Sequence, residues 1–129
     1  MHAEQGEGYE RLVELIIGAQ IAAALHVVVD KRLADLLARG PQTADALADE
    51  VQVPGETLRR FLRALAQVGL FAEVDEGVFA NTEVSEHLRS DVPYSLRNMV
   101  TVLDDEAVAQ GWRRLPDVLA SNGCPLGHW

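Results

Sequence analysis

The sequence has one cysteine, few aromatic side chains and too little positive charge to balance its acids. A lone thiol, Cys124, excludes an internal disulfide and fits a reducing compartment, so a cytoplasmic location is expected. Phe, Trp and Tyr make up 5% of the 129 residues. Any core must therefore be assembled from Leu, Val, Ile and Ala, a composition that favours helices. Lys and Arg number 11 against 20 Asp and Glu, a net charge of −9. Lys and Arg dominate binding to duplex phosphate and to anionic membranes, so this balance is wrong for a generic binder of either. Residues 1–10 carry Glu4, Glu7 and Glu10 rather than a basic stretch, so no signal peptide is expected.

What is present is an ordinary globular composition, 48% hydrophobic and 24% charged, which argues against disorder. A chain of this length suits a single domain spanning 1–129. A flexible terminus (1–8) is expected to lead into a first helix from about Tyr9 to Val29. There Leu12, Leu15, Ile16, Ala19, Ala22, Ala23 and His26 fall on one stripe at helical spacing. Val13, Ile17, Gln20, Ala24 and Val27 lie beside that stripe, so the helix is apolar around much of its circumference. Such a helix must be buried nearly all round, which a domain this small seldom manages alone. A second chain could cover it, and Gly18, Ala19, Ala22 and Ala23 would permit close approach. The seven stripe residues are the expected dimer interface. Leu12–Val29 is long enough to raise the question of a membrane span, but Glu14, Gln20 and His26 interrupt it, and no membrane contact is expected.

Asp30 is expected to cap a short helix with Leu33, Leu36 and Leu37 inward, closed by Gly40–Pro41. Thr43 suits the N-cap of a helix over 44–50, and Val51–Val53 make a turn. A second helix runs from Pro54–Gly55 to Val68, with Leu58, Phe61, Leu62, Leu65 and Val68 apolar and Gly69 as its C-terminal glycine. Leu70–Val74 and Val78–Asn81 read as two strands about a turn at Asp75, Glu76 and Gly77. The fold expected is mainly α: a winged helix-turn-helix (41–82) with a two-stranded β-wing. It is flanked by dimerisation helices (9–40) and post-wing helices (83–119), in an interwoven dimer. Thr82 would cap 83–88, a helix would span Tyr94–Leu103, and Asp104 would cap a helix containing Val108, Trp112 and Leu115. Pro116 would kink that helix or start a new one, and an irregular tail follows over 120–129.

A helix-turn-helix usually places its second helix in the DNA major groove, where Arg59, Arg60 and Arg63 are the candidates for contact. Residues 43–69 oppose these three arginines with Asp45, Asp49, Glu50 and Glu56, a net charge of −1. No Lys or Arg lies between Arg63 and Arg89, whereas Glu73, Asp75, Glu76, Glu83 and Glu86 do, so the wing would repel phosphate. The arginines read better as a solvated face, with Glu56 pairing to Arg60 one turn on. Nucleic acid is not the expected partner, and a transcription regulator is only an alternative reading.

Several segments together resemble a known family. Leu33-Ala-Asp-Leu-Leu, Pro41-Gln-Thr-Ala-Asp-Ala-Leu-Ala, Leu58-Arg-Arg-Phe-Leu-Arg-Ala-Leu-Ala, Val68-Gly-Leu-Phe, Thr82-Glu-Val-Ser-Glu-His-Leu-Arg and Ser95-Leu-Arg are similar to the N-terminal dimerisation domain of small-molecule O-methyltransferases. Members of that family tailor polyketides and methylate phenolics. The resemblance covers roughly Leu12 to Leu119. It implies a dimer interwoven through the N-terminal helices, and post-wing helices lining an aromatic substrate pocket. Met99, Leu103 and Trp112 are the positions to inspect for that pocket, against plain core packing. Asn81 departs from the apolar residue the family places before the threonine.

A larger departure is the lack of a glycine-rich strand-to-helix turn for S-adenosylmethionine. No cofactor-binding or catalytic residue is therefore expected in this sequence. Cys124 and His128 are two ligands where a structural zinc site needs four, so no metal site is expected. His2, His26 and His87 lack a nucleophile at recognisable spacing, and Asp104, Asp105 and Glu106 suit a helix start. The expected role is a non-catalytic dimerisation module that self-associates or partners a full-length methyltransferase. The alternative is an aromatic small-molecule binder or stand-alone tailoring enzyme.

Overall fold

The computed structural model describes residues 2–103 and 105–121, which are mainly helical with one small antiparallel sheet. The chain divides into two compact units, one of residues 28–99 and one combining residues 1–27 with 100–129.

The 28–99 unit contains α3 (Leu33–Leu36), β1 (Gln42–Thr43), α4 (Ala44–Val51), α5 (Gly55–Gln67), β2 (Phe71–Asp75) and β3 (Val78–Asn81), with 3-10 turns at Leu37–Arg39 and Ser85–Leu88. Thr43 caps α4 as expected, its Oγ1 accepting the Ala46 amide at 3.1 Å. The helix ends at Gln52 in the left-handed region (φ 60°). Helix α5 buries Leu58, Leu62 and Leu65, one stripe at i, i+4, i+7, and leaves Phe61 half-buried and Val68 exposed. A Cβ at Gly55 would run into the Asp45 carboxylate, so the small residue lets α5 start close against α4.

Helix α5 stops at Gly69 (φ 84°), whose amide bonds Ala66 O while the Leu70 amide bonds Leu65 O. This double bond satisfies the last carbonyls of the helix and requires a left-handed residue that glycine supplies without a steric penalty. It turns Leu70 and Phe71 directly into the core, where Phe71, Phe79, Leu33, Leu47 and Leu62 are fully buried.

The expected two-stranded wing is a three-stranded sheet of order β1-β3-β2. Gln42 and Thr43 pair antiparallel with Phe79 and Val78. Two residues are too few to show strand alternation, which is why β1 left no periodic signal. Strand β2 pairs with β3 with a register shift between Glu73 and Asp75. Asn81, the departure from the family pattern, donates to Ala34 O at 3.0 Å and accepts from the fully buried Ser85 hydroxyl at 3.0 Å. Its polarity is matched on both sides, so it costs no unpaired buried group.

Several expected helix boundaries are corrected. The first helix is two: α1 (His2–Ile16), interrupted at Gly6 (φ 72°), and α2 (Gly18–Asp30), bent 59° from the Gly6–Ile16 part of α1. Glycine has low helix propensity, and two β-branched residues precede it, which weakens the ladder at that point. Asp30 ends α2 rather than capping α3, which instead follows Arg32 in the left-handed region. The helix expected from Tyr94 begins at Arg97 as α6 (Arg97–Leu103). Tyr94 sits at φ 61°, and the Ser95 hydroxyl accepts the Arg97 amide. Asp104 lies outside the described residues, and Asp105 caps α7 (Glu106–Arg113) through the Ala107 amide at 2.9 Å. Pro116 opens the separate α8 (Leu115–Ala120), where its missing N–H has no helical partner to lose.

No single helix among the described residues is long and apolar enough to cross a membrane. The bent pair Gly6–Ile16 and Gly18–Asp30 reaches that length and composition only when taken together.

Candidate interaction surfaces

The seven stripe residues fall on α1 and α2. Leu12, Leu15 and Ile16 are 57%, 60% and 67% exposed. Ala19, Ala22 and Ala23 are also exposed, and His26 is half-buried. Among the described residues of the unit formed by 1–27 and 100–129, the most extensive packing between elements is α7 against α8.

The arginines are arranged differently. Arg59 pairs with Glu56 three residues before it, which corrects the expected Glu56–Arg60 pair. Arg63 forms a two-pronged bond to Glu73 on β2, Nε to Oε1 at 2.9 Å and Nη2 to Oε2 at 2.7 Å. Glu73 Oε2 also accepts the Gly77 amide at 2.8 Å. The Arg63 guanidinium, then the Gly77 amide, hold the Glu73 carboxyl down to about 2. Arg63 is thus a clamp between α5 and the hairpin, and Glu56 engages Arg59, so two of the three DNA candidates face carboxylates rather than a free surface.

Of the proposed ligand-lining positions, Met99 and Leu103 lie on one face of α6 and are each 57% exposed, while Trp112 on α7 is 48% exposed. No side chain of α6 or α7 is buried. A polar cavity of about 270 Å³ lies elsewhere, between the starts of α4 and α5 and the hairpin turn. It is lined by Thr43, Asp45, Gly55, Glu56, Arg59 and Glu76 among others. Among the described residues no group of three His, Cys, Asp or Glu is placed to hold a metal, and Cys124 and His128 lie outside them.

Sequence reasoning missed the tethers of the 28–99 unit. Asp35 Oδ1 accepts both the Ser90 amide (2.7 Å) and its hydroxyl (3.1 Å), across more than fifty residues. Arg89 bridges Glu86 and Asp91. The Leu96 amide and Ser95 hydroxyl both bond His87 O, which leaves Tyr94 at 93% exposure. Nothing in local spacing signals a pair as far apart as Asp35 and Ser90, whereas the Arg63–Glu73 clamp had a hint in the opposite charges on adjoining elements.

Comparison with known proteins adds a family match, two relatives and a solved structure. The family described as the O-methyltransferase dimerisation domain matches residues 13–91. The phenazine O-methyltransferase PhzM of Lysobacter antibioticus is 32% identical over 108 residues, covering 84% of this chain and 30% of that protein. The 8-amino-8-demethylriboflavin N,N-dimethyltransferase of Streptomyces davaonensis is 35% identical over 114 residues, covering 88% and 30%. The crystal structure of RosA, the N,N-8-amino-8-demethyl-D-riboflavin dimethyltransferase from Streptomyces davawensis, superimposes with a TM-score of 0.75 at 30% identity, over 95% of this chain and 37% of that one. The chain therefore spans under a third of the length of these curated relatives.

Proposed function

The chain belongs to the O-methyltransferase dimerisation domain family, and from that premise we propose that it works as a non-catalytic dimerisation module in the cytoplasm, associating with itself or with a full-length methyltransferase. The observation that carries this reading is the exposed apolar stripe of Leu12, Leu15 and Ile16, on helices that pack only sparsely on the other described elements of their own unit. Sedimentation at micromolar concentration should give a dimer, and a folded monomer there would overturn the reading. Calorimetry with S-adenosylmethionine should register no binding, since the sequence carries no glycine-rich strand-to-helix turn to cradle it.

A second reading is a small-molecule binder that presents Met99, Leu103 and Trp112 to a planar aromatic ligand, of the kind named in the phenazine and riboflavin relatives. Titration with a phenazine or flavin should quench tryptophan emission, and unchanged emission discards it. The winged-helix regulator reading predicts a gel shift at low salt, and none is expected with Arg63 clamped to Glu73.

A further inference from the structure

Resting on the self-association reading, we infer that the second copy binds α1 and α2 as one straightened helix, with the break at Ile17–Gly18 acting as a hinge that closes when the copies pair. Three observations on this segment converge. First, the apolar pattern keeps helical phase through the break: Leu12, Leu15, Ile16, then Ala19, Ala22, Ala23 and His26. A continuous helix turns all seven to one side, whereas a 59° bend splits them into two shorter patches.

Second, the backbone around the break stays helical in part. The Ile17 amide bonds Val13 O at 3.1 Å, and the Gln20 and Ile21 amides both bond Ile17 O. The Gln20 amide bonds Ile17 O where a continuous helix would have it bond Ile16 O, so straightening requires the ladder to be restored over the short stretch from Gly18 to Gln20. Third, the residue at the break does not itself demand the bend. A Cβ placed at Gly18 meets no atom within 4 Å, and Gly18 is not in the left-handed region.

The occupant is a second copy of this chain. The family match to a dimerisation domain begins at residue 13 and so takes in most of the stripe. The acids Glu7, Glu10 and Glu14, with a chain charge of −9, disfavour an anionic bilayer as the covering surface.

Gly18→Ala and Gly18→Pro separate the possibilities. Alanine favours the straight helix without a clash and should tighten the dimer by about fivefold for each helix straightened. Proline blocks a continuous ladder at residue 18 and should weaken the dimer, with β3 amide protection unchanged as the sign that the 28–99 unit still folds. A spin-label pair at positions 8 and 30 in the wild-type dimer should read the straight separation, roughly 4 Å longer than the bent one by helix geometry. A stable dimer with the bent separation, or equal affinities for both variants, overturns the hinge and leaves self-association standing. A monomer at all concentrations overturns both, as does binding of the chain to neutral lipid vesicles in place of dimerisation.

Discussion

The two units solve burial in opposite ways. In residues 28–99 each element finds a partner within the unit: α4 packs on α5, α5 on β2, and β1 and β2 on β3, around Phe71, Phe79, Leu47 and Leu62. In residues 1–27 and 100–121 the helices are at least as apolar in pattern, yet Leu12, Leu15, Ile16, Leu103, Trp112 and Leu119 remain exposed. The same kinds of side chain are thus enclosed in one unit and left to solvent in the other. Whether a neighbour is supplied by the unit itself decides which.

The strongest way to test that division is to cut a core on one side of it. Phe79→Ala should cost about 3–5 kcal/mol, because it deletes a fully buried ring from a close-packed interior. Denaturant melts should show that loss at every protein concentration. Ile16→Asp should act on the other side. A carboxylate buried in an apolar interface should weaken the dimer by roughly 150-fold, about 3 kcal/mol, and leave β3 amide protection unchanged. Sedimentation reads the first effect and hydrogen exchange the second; loss of β3 protection in Ile16→Asp would erase the contrast between the units.

Smaller changes sharpen it. Thr43→Ala removes the Oγ1 acceptor of the Ala46 amide and should destabilise the 28–99 unit by about 1 kcal/mol in the same melts. Glu73→Gln has the smallest effect, and a particular pH signature. Folded Glu73 sits at about 2, below its ordinary value of 4.5. Its contribution is therefore complete above about pH 4.5 and is lost as pH falls toward 2. The wild type should exceed the variant in stability at pH 7, and that difference should vanish on acidification.

How far the molecule was legible in its sequence follows the same division. Thr43, the Leu58–Leu62–Leu65 stripe, Gly69 and the turn at Gly77 are local signals, and each marks an element where the structure has it. The family and the mainly α fold followed from such segments together. Strand β1 was invisible because two residues carry no period, and the break at Gly18 because the apolar phase continues through it. Arg63–Glu73 and Asp35–Ser90 escaped because their partners meet only after the chain has folded. For the surfaces, the stripe could be written down from spacing alone. Its exposure could not, since exposure depends on what the remaining elements fail to cover.

The short strand β1 also bears on the order in which the chain folds. Thr43 pairs with Val78, and the Ala44 amide bonds Gly77 O at 2.9 Å, so the start of α4 is tied to the hairpin turn. Every other element between them can form from nearby residues, but this tie closes a loop of about 35 residues, whose entropy must be lost before the bond returns anything. It is the step that waits for α4, α5 and the hairpin to exist. The Ala44 amide should accordingly exchange faster than that of Phe79, which makes this corner the latch of the unit: last to close and first to open.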